Sequence, residues 1–467
     1  MSIHDALPVI ADAVAATATE HNCPTISWGI VVDGQLAHTG STGVLHDGRA
    51  PSEHTVYRIA SMTKSFTAAA VLSLRDEGVV SLDDPIVMHA PELAVVAPVA
   101  TDAGAIRIRD LLSMSAGMAT DDAWADRHLD ITDHELDAAM ASGVLFAGTP
   151  GDTYEYSNLG FGLLGRVVKR ATGRRVQDVI SERLLTPLGM TGSTWVMPDH
   201  DDWARPFADR DGRAVADDEP LGDGEIAPMG GIWTTISDLA RWISWLDDGH
   251  PARSTADSGP LRRASRRQMQ QMHRYIGMVD YAGRTIAAGY GFGLRVRDDP
   301  RLGRIITHSG GVPGYGSNMR WLAERRFGVI TLANVTYAPM TELGHSILEI
   351  LADHDALPAR PSDHSEIVEH MGRRLVDLLQ GWDDRVADEL FTDNVGLDQL
   401  YERRRADAQR WLVASDGHLQ IDHVHTVSAA SGDVTIARPV GVPSLTLEFQ
   451  IGPLLPPRIQ QYAGVEG

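Results

Sequence analysis

Cysteine and lysine are nearly missing from this chain of 467 residues. A single cysteine, Cys23, excludes an intrachain disulfide framework and any metal site built on several thiolates. No run of about 18 apolar residues is present, so no membrane-spanning helix is expected. Basic charge is also short: 63 acidic residues face 41 basic ones, a formal charge of −22. Such a surface repels phosphate backbones and anionic lipid, so neither nucleic acid nor a membrane surface is expected as a partner. Residues 1–20 carry Asp5, Asp12 and Glu20 but no Lys or Arg. They lack the basic start of a secretion signal, which points to the cytoplasm. What is present is an ordinary globular mix, 43% hydrophobic and 22% charged, and this excludes wholesale disorder.

The shortage of lysine is informative in itself. Only Lys64 and Lys169 are lysines, and the other basic residues are arginines. Against that bias, a retained lysine marks a place where an arginine would not serve. Lysine can lose its proton when desolvated, whereas arginine stays charged.

Along the chain, Leu7, Ile10, Val14 and Ala15 predict an amphipathic helix over about 4–21. Thr25–Val32 reads as a strand that turns at Asp33-Gly34 and returns over Gln35–Gly40. A second helix is predicted from Ser61 to Glu77, with Gly78 as its C-terminal stop. A helical, loop-rich block follows, about 80–228. Strand patterns come back at Gly291–Val296, Arg304–His308, Met319–Trp321 and Gly328–Asn334, and a helix is predicted at Met340–Ala352. Strands at both ends with helices between predict an antiparallel sheet flanked by helices, an α/β (α+β) fold with an inserted helical subdomain. The proline-bearing stretch His354–Asp363 reads as a linker. It separates a domain over about 1–355 from a small α+β domain over 364–467. That second domain is expected to open with a helix at Ser365–Leu379, where Ile367, Met371, Leu375 and Leu378 share a face. A helix at Leu397–Leu412 and three or four strands follow, Leu445–Ile451 being the clearest.

Three short motifs carry chemistry. Ser61-Met62-Thr63-Lys64 opens the second helix. Residues three apart share a helical face, so hydroxyl and amine come within hydrogen-bond reach. Burial and the positive helix start both favour a neutral Lys64 able to take the Ser61 proton. Tyr156-Ser157-Asn158 offers a phenol that can relay a proton and a carboxamide that can hold an amine and a substrate carbonyl. His308-Ser309-Gly310-Gly311 ends a predicted strand, where glycines let a substrate approach and the Gly311 N–H can pair with that of Ser61 as an oxyanion hole. Taken singly, each motif is better explained as an exposed pair, a helix cap or a turn.

Together, in this order, they resemble the serine β-lactamase and penicillin-binding-protein superfamily, in its class C, D-aminopeptidase and esterase branch. That branch carries S-x-x-K, Y-x-N and then K-T-G or H-x-G. Three further runs are similar to the family's: Leu111–Met118, Tyr156–Gly165 and Gly230–Ala240. The likeness covers about residues 1–352. It implies that Ser61 attacks a carbonyl, that Lys64 and Tyr156 move the proton, that Asn158 orients Lys64 and the substrate amide, and that Ser61 and Gly311 hold the oxyanion. No cofactor and no metal are implied. The chain departs from the pattern at His308, which stands where a lysine would suit a substrate carboxylate, and at Met114, which replaces the usual histidine. With an ordinary histidine pKa, His308 would make activity change around pH 6–7. The resemblance thus implies a D-peptidase or esterase acting on small molecules or short peptides. An acyltransferase that cyclises peptides and a weak β-lactamase or silent binding protein are the alternatives, and a homo-oligomer is left open. The C-terminal domain looks similar to nuclear-transport-factor-2-like cones or to lipocalin-like domains.

The remaining candidates read as structural. Cys23 fits a small core residue, and Lys169, Asp201-Asp202 and Asp217-Asp218-Glu219 fit solvated surface. His418, His423 and His425 lack the carboxylate spacing of a metal site. Asp121, Asp122 and Asp126 are expected in a loop that lines a pocket for a cationic substrate group.

Overall fold

The computed structural model describes every residue except 1, 92, 94–101, 218–220, 258 and 360–364. Two compact units emerge, residues 1–359 and 360–467.

The first unit is built on eight strands: β1 Thr25–Val32, β2 Gln35–Gly43, β3 Arg274–Tyr281, β4 Arg284–Tyr290, β5 Arg295–Asp299, β6 Gly303–Val312, β7 Tyr315–Leu322 and β8 Phe327–Ala333. They form one antiparallel sheet in the order β2-β1-β8-β7-β6-β5-β4-β3. The patterning explains the order. β1, β7 and β8 are buried almost throughout, as interior strands covered on both faces must be. β2 alternates exposed and half-buried residues, as an edge strand does. Asp33 and Gly34 both have positive φ, 51° and 74°, the geometry that closes a two-residue hairpin. Pairing of β1 with β8 joins the two ends of this unit, and the Thr25 N–H donates to Asn334 Oδ1 at 2.8 Å.

Helices Ile3–Glu20 and Met340–Asp353 share one core with the sheet, through Ala6, Ile10, Ile26, Ile30, Ile347 and Leu351. The other core holds helices Thr63–Asp76, Asn158–Thr172 and Ile236–Asp247. Helix Thr63–Asp76 is buried on all sides from Thr63 to Leu74, so it has no polar face. The helical insertion also contains a small hairpin, Phe207–Arg210 with Arg213–Ala216.

Several expectations need correction. The strand expected at 291–296 begins only at Arg295. The Gly291 N–H turns back to the Leu294 carbonyl, and Gly293 has a φ of 68°. Two strands before it, β3 and β4, are not evident in the sequence because their outer residues alternate only weakly in polarity. β6 does not stop at His308. It continues to Val312, so Ser309, Gly310 and Gly311 are strand residues opposite Asn318, Ser317 and Gly316. The α-helix expected from Ser61 starts at Thr63, and Ser61 lies in a 3₁₀ turn, Ala60–Met62.

The second unit runs helices first: Glu366–Gln380, Asp384–Leu390, Asp393–Asp398 and Tyr401–Ala414. Four strands follow as an antiparallel meander, Gln420–Ser428, Ser431–Ala437, Leu445–Ile451 and Ile459–Glu466. Val368, Met371 and Leu375 pack on Val434, Leu447 and Phe449. Ile367, expected on that core face, is 48% exposed, and Val368 takes its place. The helix expected at 397–412 begins at Tyr401, after a break at Gln399-Leu400. The open four-stranded sheet is not a closed lipocalin barrel. Residues 354–359 of the expected linker carry no helix or strand, and 360–363 lie outside the described residues, as do Asp218 and Glu219.

Candidate active site

Ser61 is reached through a strained backbone. Ala60, just before it, has a φ of 48°, a left-handed conformation that costs a non-glycine residue about 1–2 kcal/mol. The turn that carries Ser61 presses on β6. A Cβ at Gly310 would lie 2.2 Å from the Ile59 carbonyl oxygen, so only glycine allows that approach.

Behind Ser61, the Lys64 side chain is fully buried. Its Nζ lies 2.8 Å from Ser61 Oγ, 2.6 Å from Asn158 Oδ1 and 3.0 Å from the Met229 carbonyl oxygen. Burial pulls its pKa down to about 7, a depression that Asp122, Asp126 and Asp121 oppose. The neutral amine has two N–H donors and one lone pair. Asn158 Oδ1 and the Met229 carbonyl can only accept, so they take both donors. The lone pair is then left for the Ser61 hydroxyl.

Asn158 is held from behind. It opens helix Asn158–Thr172, whose N-cap Ser157 accepts from the Gly160 N–H at 3.1 Å. Its Nδ2 donates to Asp122 Oδ1 at 2.8 Å, which turns Oδ1 toward Lys64. Asp121 accepts from the Asn158 and Leu159 N–H groups at 2.7 and 2.8 Å. The three aspartates therefore divide, contrary to the expectation of a common pocket. Asp121 caps a helix. Asp122 starts a short helix, Asp122–Ala125, rather than a loop, and with Asp126 it lines the cavity beside Ser61. Burial pushes Asp126 up to about 6.

That cavity measures about 740 Å³. Ser61, Tyr156, His308, Ser309, Gly310 and Gly311 all line it, and Lys64 and Asn158 lie buried behind. The structure thus brings every sequence-predicted site residue to one place. Burial raises the Tyr156 phenol well above its usual pKa, with a hydrogen bond to Ser61 opposing, so the phenol keeps its proton. Lys64 Nζ lies 4.9 Å from the Tyr156 ring centre. Met114, in the place of a histidine, accepts the Ser157 N–H on its sulfur at 3.4 Å.

His308 differs from expectation. Its ring is only 1% exposed. Nδ1 lies 2.6 Å from the Ser309 carbonyl oxygen, which can only accept, so Nδ1 carries the proton. Nε2 then accepts from the Tyr290 hydroxyl at 2.9 Å. Burial, together with the nearby Lys64 and Arg295 charges, lowers its pKa well below 6.5. A titration of His308 at pH 6–7 is therefore not expected after all.

The cation in the cavity is Arg295, which the sequence reading missed. It opens β5, and its guanidinium carbon lies 5.8, 5.6 and 6.0 Å from the ring centres of Tyr154, Tyr156 and Tyr290. Tyr337 and Glu342 also line the cavity and were missed. The one available signal was the tyrosine spacing of Thr149–Gly160, where Tyr154 precedes Tyr156.

Outside this cavity, the Cys23 thiol is raised to about 12, mainly by burial, and is no nucleophile. His425 pairs with Asp433 at 3.0 Å. Among the described residues, no group of three His, Cys, Asp or Glu is arranged to hold a metal ion. Among the same described residues, no helix is long and apolar enough to cross a membrane.

A family model described as Beta-lactamase matches residues 10–352. The chain is 26% identical over 354 residues to the D-alanyl-D-alanine-carboxypeptidase/endopeptidase AmpH of Escherichia coli, covering 73% of this chain and 89% of that one. It is 31% identical over 311 residues to Penicillin-binding protein 4 of Amycolatopsis lactamdurans, covering 64% and 76%. The octameric penicillin-binding protein homologue from Pyrococcus abyssi shares the fold, with a TM-score of 0.64 and 20% identity over 100% of this chain and 96% of that one.

Proposed function

From the premise that the chain belongs to the Beta-lactamase family, whose homologues mark it as a serine hydrolase, we propose that it cleaves amide or ester bonds of small molecules and short D-amino-acid-containing peptides through a Ser61 acyl-enzyme. One observation carries this reading. Lys64 has both N–H donors of its neutral form committed to Asn158 and Met229, and its lone pair faces Ser61.

In the proposed sequence, Ser61 Oγ attacks the carbonyl carbon while its proton passes to Lys64 Nζ. The carbonyl oxygen becomes an oxyanion between the Ser61 and Gly311 N–H groups. Collapse breaks the amide or ester bond, and the proton moves from Lys64, by way of the Tyr156 hydroxyl, to the leaving nitrogen or oxygen. Water then attacks the Ser61 ester by the same route in reverse, releasing the acid and restoring the Ser61 hydroxyl. Among the residues lining the cavity, Arg295 suits a substrate carboxylate, and Asp122, Asp126 and Glu342 suit an ammonium. A pocket with both signs favours zwitterionic peptides, and the resemblance to a D-alanyl-D-alanine-carboxypeptidase/endopeptidase points to peptides as well. The octameric relative supports a homo-oligomer, which sizing in solution tests. A cytoplasmic location belongs to the same reading and is tested by cell fractionation.

The deciding experiment is intact-protein mass spectrometry alongside a product assay. The protein and its Ser61→Ala variant meet a p-nitrophenyl ester, a D-alanine amide and a penicillin. Ser61-dependent turnover of the ester or amide, with slow penicillin turnover, is the expected result. Fast penicillin turnover would establish a β-lactamase instead. A lasting adduct released only by an added amine would establish an acyltransferase.

A further inference from the structure

Two residues that line the cavity are joined by a hydrogen bond. Tyr337 lies between β8 and helix Met340–Asp353, and its hydroxyl donates to Asp126 Oδ2 at 2.7 Å. The two residues stand 211 positions apart, one beside the sheet and the other in the helical insertion. Both line the cavity that holds Ser61.

The tyrosine is held there against its own preferences. Its φ is 53°, in the left-handed region that L side chains avoid. Its side chain is aromatic and yet 53% exposed. Its backbone N–H is tied to the Tyr315 carbonyl oxygen at 3.2 Å, which anchors the loop to β7. Its ring lies against Gly311, where a Cβ would come within 2.5 Å of Cδ1 and 3.3 Å of Cε1. The hydroxyl is hooked on a carboxylate that is only 3% exposed. Strain of this kind persists where the surroundings over-determine it, and such sites cluster at ligand clamps.

The position relative to the reacting centre sets the consequence. An attacked carbonyl must lie within about 3–3.5 Å of Ser61 Oγ, with its oxygen toward Gly311. A ring packed on Gly311 therefore stands close to the scissile carbonyl. An extended peptide advances about 3.3–3.6 Å per residue, so a second residue on that side would run into the ring or into the Tyr337–Asp126 bond.

We propose that Tyr337, hooked on Asp126, is a bar that makes the enzyme exo-acting, admitting a chain on one side of the scissile bond and only a terminal residue on the other. The proposal rests on the Ser61 acyl-enzyme reading, because Ser61 and Gly311 place the scissile carbonyl. Tyr337 is then a specificity-determining residue, and the substrate class narrows to peptides and amides cut one residue from an end.

Two peptide series test this, each built on one D-alanine amide core. One is lengthened by one and three residues before the scissile bond, the other by one and three after it. The readout is the ratio of kcat/KM for the long member to that for the short one. In the unaltered protein this ratio is expected to fall at least tenfold for one series and to stay within threefold for the other. Tyr337→Gly, which relieves the strain and removes the ring, is expected to raise the restricted ratio at least fivefold and to leave the other ratio unmoved. Tyr337→Phe keeps the ring and loses the hook. It is expected to raise the restricted ratio about twofold, and it serves if the glycine variant does not fold. Equal handling of both series by the unaltered protein, or a restricted ratio unmoved by both variants, overturns the bar. Acylation of Ser61 by a short p-nitrophenyl ester, followed by mass, separates the two readings. If Ser61 is acylated and the series are handled alike, the bar fails alone. If Ser61 is not acylated, the acyl-enzyme reading fails and the bar falls with it.

Discussion

The two lysines of this protein occupy opposite environments. Lys64 is fully buried, and its pKa is pulled down to about 7. Lys169 lies on the outer side of helix Asn158–Thr172, with its side chain 39% exposed. Burial is the largest single influence and lowers its pKa, but the hydrogen bonds and ion pairs with Asp133 and Glu225, both at 3.1 Å, together more than reverse this. One lysine is therefore poised to be neutral near pH 7, and the other is fixed as a cation. Scarcity marked both residues equally. What separates them is how far each nitrogen is buried and what it is paired with: Lys64 is shut away from water against an amide and a main-chain oxygen, and Lys169 reaches water and is bonded directly to two carboxylates.

The largest expected effect breaks the comparison at Lys64. Lys64→Ala removes the proposed base and is expected to slow Ser61 acylation by about 10²–10⁴-fold, read by stopped-flow with a p-nitrophenyl ester. Lys64→Arg should be equally poor, because a guanidinium stays protonated and cannot accept the hydroxyl proton. Equal rates for Lys64→Arg and the unaltered protein would show that charge alone is needed there.

The pH profile sharpens the same contrast. The base works only when unprotonated, so kcat/KM should climb as pH rises through about 7, the folded pKa of Lys64, and level off above it. Lys169 variants should keep that limb in place. A limb unaffected by any change near Lys64 would assign the titration elsewhere, and His308, with its pKa far below 6.5, does not supply it.

A smaller effect is expected at Asp122. Asp122→Asn replaces the charged acceptor that orients Asn158 with a neutral amide, and removes a charge that supports protonated Lys64. Losing that charge lowers the Lys64 pKa further, so the rising limb should move to lower pH. The plateau should fall about 10-fold, in keeping with loss of one positioning hydrogen bond to a charged group. A fall without a shift of the limb would limit Asp122 to holding the amide.

The smallest effect is expected at Lys169. Lys169→Ala should leave kcat/KM within twofold and cost less than about 1 kcal/mol in denaturant unfolding, the range of exposed ion pairs. A large loss of activity would mean that the Asp133–Glu225 anchor shapes the cavity from a distance.

Much of the site was legible because its chemistry is local. Ser61 and Lys64 are three residues apart on one turn, and that spacing survives even though the α-helix begins only at Thr63. Tyr156 and Asn158 were readable for the same reason. Arg295 was not, because it lies at the start of a strand whose phase the sequence pattern misplaces by four residues. Tyr337 was not readable either, since its contact with Asp126 spans 211 positions and leaves no periodic trace. His308 was found as a residue but misread as a titrating one, because its burial and one partner of its ring, the Tyr290 hydroxyl on β4, come from residues distant in the chain. In the second unit the helix at Glu366–Gln380 was readable but its phase was not. Ile367 and Val368 are adjacent and both apolar, and only packing against Val434 and Phe449 chose between them.

By itself, the sequence determined the helix and hairpin that open the first unit, the Ser61–Lys64 spacing, and the motifs that place the chain among its relatives. These follow from short-range spacing and side-chain chemistry, which the chain carries wherever it folds. Tertiary structure alone decided the charge states and the shape of the cavity. The pKa of Lys64 depends on how completely water is excluded, and the partner of His308 Nε2 is a hydroxyl from another strand. Whether the cavity is open or barred depends on a tyrosine and an aspartate meeting across the fold. Each of these is a property of distances between residues far apart in the chain, and such distances exist only once the sheet has closed.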